Sequence, residues 1–152
     1  ACGGDDPEPT VDATPAVAEP TATAPIPQSA TLYDEFGVVF STGEVTPSAH
    51  HFNVDLQAYK SGTSLDLKAG IPEGTTTRQP LLFISEGNTF PSLGAIPVPY
   101  PLPTESDADT IVSPVLEGSA FVVANNKSPG HTLVWIEAAN GDHVVIQYVP
   151  AP

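Results

Sequence analysis

The run Thr132-Leu133-Val134-Trp135-Ile136-Glu137-Ala138, then Asn140-Gly141, then His143-Val144-Val145-Ile146-Gln147-Tyr148-Val149 decides the fold. Both arms are rich in β-branched and aromatic residues, which favour a pleated, half-buried surface. Asn-Gly between them readily takes the two positive φ angles of a type I′ turn, whose twist matches that of paired strands. A β-hairpin is therefore predicted, with Trp135 in one arm and Tyr148 in the other supplying large apolar area.

The same texture extends back to Thr31 as short apolar runs separated by Gly, Pro and Asn. Phe52–Lys60 reads as a strand, with Phe52, Val54, Leu56 and Ala58 on a core face and Asn53, Asp55 and Gln57 toward solvent. Ser64–Lys68 repeats the pattern with Leu65 and Leu67 inward. Val38–Ser41, Leu81–Ser85 and Ala120–Ala124 are continuous apolar runs that suit strands buried on both faces. No stretch of ten or more residues carries a helical stripe. An all-β domain follows, a single antiparallel β-sandwich or barrel. Ile96-Pro97-Val98-Pro99-Tyr100-Pro101-Leu102-Pro103 lacks every second backbone donor and is excluded from a central strand. It reads as a stiff connector whose Val98, Tyr100 and Leu102 pack on the domain, with a proline-rich ligand for an aromatic groove as the alternative.

Residues 1–30 differ. They hold Pro7, Pro9, Pro15, Pro20, Pro25 and Pro27, acidic groups and no basic one. Such a segment cannot offset its ordering entropy by burial, so it reads as a disordered, extended tether in front of a domain at 31–152. The chain has 152 residues and a net charge of −14, from four Lys+Arg against eighteen Asp+Glu. That charge repels phosphate backbones and argues against nucleic acid as a partner. It also argues against docking on anionic head groups. With one cysteine, no internal disulfide can form.

That cysteine, in Ala1-Cys2-Gly3-Gly4, resembles the processing site of a bacterial lipoprotein. The resemblance implies an acylated Cys2 and a domain tethered to a bilayer, at the outer membrane or cell surface. Two or more acyl chains anchor firmly, at roughly 0.8 kcal/mol per buried CH₂. A free terminal thiol is the plainer alternative.

Two further groups of residues carry a family resemblance. Phe40-Ser41-Thr42-Gly43-Glu44-Val45 with Asn53-Val54-Asp55-Leu56, and Gly130-His131-Thr132-Leu133-Val134-Trp135 with Asn140-Gly141-Asp142-His143-Val144-Val145-Ile146, together resemble the HmuY-like bacterial lipoproteins. The resemblance spans the first and last thirds of residues 31–152. It implies an all-β fold, export, a lipid anchor and, in some members, haem held between two side chains. Val54 stands where that group has tryptophan, the chain has no methionine, and neither haem ligand maps onto a position here.

Four histidines are candidate ligands. His50-His51 lie at the mouth of a predicted strand, and neutral imidazole binds haem iron and transition metals. Haem capture would need one of them together with His131 or His143; solvent-exposed loop histidines are the alternative. Glu105, Asp107 and Asp109 offer hard oxygen ligands but lack calcium-loop spacing, so they read as a solvated loop, as does Asp34-Glu35. Gly-x-Ser-x-Gly and His-Glu-x-x-His do not occur, and Ser119 has no adjacent base. Trp135, Tyr148 and Tyr100 are weighed as a groove for sugar or haem against a place in the core, which their area favours. The expectation is a non-enzymatic binding or structural module with no cofactor, haem being the alternative. Its partners would be a lipid bilayer through Cys2 and a small ligand or surface protein.

Overall fold

The computed structural model describes residues 26–47, 53–85, 89–104 and 109–151. Ten strands follow one another: β1 (Gln28–Tyr33), β2 (Phe36–Val39), β3 (Glu44–Pro47), β4 (Leu56–Ser61), β5 (Ser64–Ala69), β6 (Leu81–Ser85), β7 (Ile111–Val112), β8 (Ala120–Ala124), β9 (His131–Ala139) and β10 (His143–Ala151). They form two five-stranded sheets, β1-β10-β9-β8-β6 and β3-β2-β4-β5-β7. Every strand pair is antiparallel. The all-β expectation holds, and two separate sheets make it a sandwich.

Strand alternation builds the core between the sheets. Ala30, Leu32, Phe121, Val134, Ile136, Val144, Ile146 and Tyr148 from one sheet meet Val38, Leu56, Ala58, Leu65, Leu67 and Val112 from the other. Each large side chain among them contributes roughly 1.5–3 kcal/mol by leaving water. The first sheet has a second apolar face, where Ala120, Val122, Leu133, Trp135 and Val149 pack with Leu93, Ile96, Phe90 and Tyr100. The 89–104 connector covers this face, and Trp135 Nε1 donates to the Phe90 carbonyl at 3.0 Å. Burial on both sides explains the uninterrupted apolar run of β8. The connector turns Ile96 and Tyr100 inward, while Val98 is 74% and Leu102 38% exposed. Packing by Val98 and Leu102 is thus corrected, because the inward positions are set by where the chain crosses β9 and β10. Trp135 and Tyr148 are both packed, on opposite faces of one sheet, so with Tyr100 they do not line a single groove.

Three other sequence expectations change. The boundary between residues 30 and 31 falls inside β1, which is long-range paired to β10 from Gln28↔Tyr148 to Tyr33↔His143. Second, β4 begins at Leu56. Residues Asn53–Asp55 end a crossover between β3 and β4, which flank β2; Phe52 lies outside the described residues. Val54 covers Gly37, where an added Cβ would meet the Val54 side chain at 2.7 Å. Third, Asp55 is fully buried and Gln57 nearly so, not solvent-facing. The Asp55 carboxylate accepts from Phe40 N–H at 2.8 Å, Asn126 N–H at 2.5 Å and Lys127 N–H at 2.6 Å. It ties the end of β2 to the β8–β9 turn, and charge-assisted bonds of this kind are the strong ones.

Candidate functional site

Three turns converge at one end of the sandwich. The β1–β2 turn, Asp34-Glu35, carries the chain from one sheet to the other. Glu35 sits at φ 66°, a left-handed value that costs a residue with a Cβ about 1–2 kcal/mol. Two bonds to β4 hold it there: Glu35 N–H donates to the Ala58 carbonyl at 2.9 Å, and Lys60 N–H donates to Asp34 Oδ1 at 2.8 Å.

The β9–β10 turn is Asn140-Gly141-Asp142. The hairpin is present as predicted, but neither Asn140 nor Gly141 is left-handed, so its turn is not type I′. Asn140 Oδ1 instead accepts from the N–H groups of Asp142 at 2.8 Å and His143 at 3.0 Å, and Asn140 N–H donates to the His143 carbonyl at 3.1 Å. Side-chain capture of the backbone by Asn replaces the backbone geometry that Asn-Gly suggested. Glycine is required at 141 for another reason. A Cβ there would stand 2.8 Å from the Thr63 carbonyl oxygen in the β4–β5 turn.

Between the turns lies an open cleft of about 500 Å³ lined by Tyr33, Asp34, Lys60, Gly141, Asp142 and His143. Tyr33 and His143 are directly opposed across β1 and β10, with ring centroids 5.4 Å apart and planes tilted by 47°. Asp34, Lys60 and Asp142 are exposed and His143 is half-buried. Tyr33 keeps 52% of its surface in solvent. Tyr59 differs, because the Lys68 ammonium lies 4.0 Å from its ring centroid.

A second depression, about 590 Å³, runs along the outer face of the first sheet between the connector and β10. Its walls include Pro27, Ile96, Val98, Tyr100, Leu133 and Val149, with no charged side chain. Burial pushes the Tyr100 phenol above its ordinary range.

Of the four candidate histidines, His143 lies in the polar cleft. His131 starts β9 and pairs with Ala151 at the far end of the hairpin. Eight residues of strand separate that end from the turn, about 25 Å at roughly 3.3 Å per residue. His131 and His143 therefore cannot share one metal ion. His50, His51 and Cys2 lie outside the described residues, as do Glu105 and Asp107. Among the described residues no group of three or more His, Cys, Asp or Glu side chains could hold a metal. Ser119 Oγ donates to the Leu116 carbonyl, a structural bond. Tyr33 and Lys60 carried no sequence signal as site residues, because their convergence depends on pairings distant in the chain. Asp142 was the exception, adjacent to His143 in the predicted hairpin.

Fold and cleft together define a small β-sandwich that presents mixed polar and aromatic groups from turns at one end. No protein-family model, curated protein or solved structure matches the chain.

Proposed function

We propose that this chain is an exported, lipid-anchored binding protein, held by acylated Cys2, whose sandwich captures a small polar ligand without transforming it. The observation that carries the reading is the cleft in which Tyr33, Asp34, Lys60, Asp142 and His143 converge from two turns and the strand ends beside them. Turns on a rigid scaffold are where binding groups usually stand, and the volume falls in the range of about 300–1,000 Å³ common for ligand sites. The lipoprotein-like start Ala1-Cys2-Gly3-Gly4, the proline-rich residues after it and the HmuY-like motifs support export to the outer membrane or cell surface. The net charge of −14 disfavours nucleic acid.

Two experiments test this. Labelled palmitate should enter the protein expressed from its native gene and disappear in Cys2→Ser, with the variant leaving the membrane fraction; unlabelled native protein would refute the anchor. A panel of small polar probes added to the isotopically labelled chain should shift the amides of residues 33–35, 60 and 141–143. Shifts confined to other regions, or none, would refute the cleft as the binding site. Haem capture requires His50 or His51 beside a hairpin histidine. Haemin titration with a Soret shift lost in a His50→Ala/His51→Ala variant would establish it in place of the polar-ligand reading.

A further inference from the structure

Accepting the cleft as a binding site, its chemistry selects the ligand. We infer that it takes a neutral polyhydroxy ligand, a sugar ring, stacked on Tyr33.

Charge gives the first argument. Two carboxylates, Asp34 and Asp142, face a single ammonium, Lys60, across one cleft. The two carboxylates repel an anion, and Lys60 weakens the hold they would have on a cation. Among the described residues, Asp34 is engaged only through Oδ1, by the Lys60 backbone N–H. Nothing described pairs with the Lys60 ammonium or the Asp142 carboxylate. The cleft thus offers carboxylate acceptors, an ammonium donor and an imidazole that can do either, and among the described residues only Asp34 Oδ1 of these is already engaged. Adjacent hydroxyls each donate and accept, so a polyol satisfies both kinds of group and carries no charge for either to repel.

Aromatic geometry gives the second. Tyr33 is braced on one side by His143 at 5.4 Å yet remains 52% exposed, a flat apolar surface fixed beside polar groups. The C–H face of a pyranose covers such a ring while its hydroxyls reach the carboxylates and Lys60. Placement gives the third. Close approach of Gly141 to the Thr63 carbonyl and the two bonds from the Asp34-Glu35 turn to β4 fix the groups before any ligand arrives. Preorganisation of this kind reduces the ordering cost of binding.

The test uses the whole isotopically labelled chain and four kinds of probe: hexoses and their disaccharides, glycine as zwitterion, tetramethylammonium as cation and inorganic phosphate as anion. At least one sugar should shift the cleft amides saturably. Tyr33→Ala should weaken that binding about tenfold, the loss expected for one aromatic stacking contact, while Tyr33→Phe retains it. Asp34→Asn should also weaken binding. Each variant must keep the native dispersion of core amides, which exposed positions permit. Glycine, tetramethylammonium or phosphate shifting the cleft while every sugar fails would overturn the sugar assignment and leave the binding site standing. Silence from all four probes would overturn both. Sugar binding unchanged in Tyr33→Ala would remove the stacking role and with it this inference.

Discussion

Asp55 is the residue whose removal should damage the fold most for the fewest atoms. Its carboxylate accepts three backbone N–H groups at 2.8, 2.5 and 2.6 Å, and it is 0% exposed. In Asp55→Ala the Phe40 N–H, in a buried bond, loses its partner where water cannot reach. The Asn126 and Lys127 donors sit nearer solvent and are partly rehydrated. One fully stranded donor costs about 1–3 kcal/mol and the other two less each, which with the lost charge-assisted bonds sums to about 4 kcal/mol. Asp55→Asn keeps an oxygen for Asn126 and Lys127 but turns an NH₂ toward the Phe40 N–H, so about 2–3 kcal/mol is expected. Urea unfolding followed by the fluorescence of Trp135, the single tryptophan, measures both. With a slope of about 1–3 kcal/mol/M, the alanine variant should lower the midpoint by roughly 2 M. Glu73→Gln, on the surface, serves as the control within about 0.5 kcal/mol. A loss under about 1 kcal/mol in Asp55→Ala would show that the carboxylate does not hold these segments together.

The remaining predictions concern backbone fit and ionisation. Gly70→Ala places a Cβ on the Val54 carbonyl oxygen of the crossover and against Asn126 of the β8–β9 turn, the two segments that Asp55 joins, so a loss of about 3 kcal/mol is expected; near-neutral unfolding data would contradict that contact. Glu35→Gly relieves about 1–2 kcal/mol of left-handed strain against about 0.5–1 kcal/mol of added unfolded-chain entropy. A net gain of about 0.5 kcal/mol should therefore appear as a slightly higher Tm, and a lower Tm would count against strain at this turn. Burial raises the phenols of Tyr148 and Tyr100 above 10.0, so the folded chain holds their protons longer than the unfolded chain. The stability this provides is complete below pH 10 and is lost as pH climbs through the raised values. Stability measured by unfolding at a series of pH values should fall above about pH 10, less steeply in Tyr148→Phe; an identical slope would refute the linkage.

How legible the molecule was depends on how far apart the interacting residues lie. The closing hairpin could be read because both arms and their turn occupy eighteen consecutive residues, 132–149. Its turn type could not, since the same Asn-Gly pair also allows Asn140 to capture the Asp142 and His143 N–H groups with its side chain; nor could the need for glycine at 141, which answers to Thr63, far back in the chain. Strand β1 escaped notice because its partner is β10, at the opposite end of the chain, and Gln28-Ser29-Ala30 looks like tether until Ala30 enters the core. Asp55 fitted a solvent-facing place in an alternating strand, and only the β8–β9 turn folding over it made it a buried acceptor.

By itself, the order of residues determined that this protein is built of sheets, because period-two alternation and turn chemistry act over a few neighbours. It also determined the acidity, which is a sum over composition. Tertiary structure alone decided which strands pair beyond the closing hairpin, which sheet is covered on both faces, and that Tyr33, Asp34, Lys60, Asp142 and His143 share a cleft. Those outcomes come from contacts between segments up to more than a hundred residues apart, and no local preference encodes them.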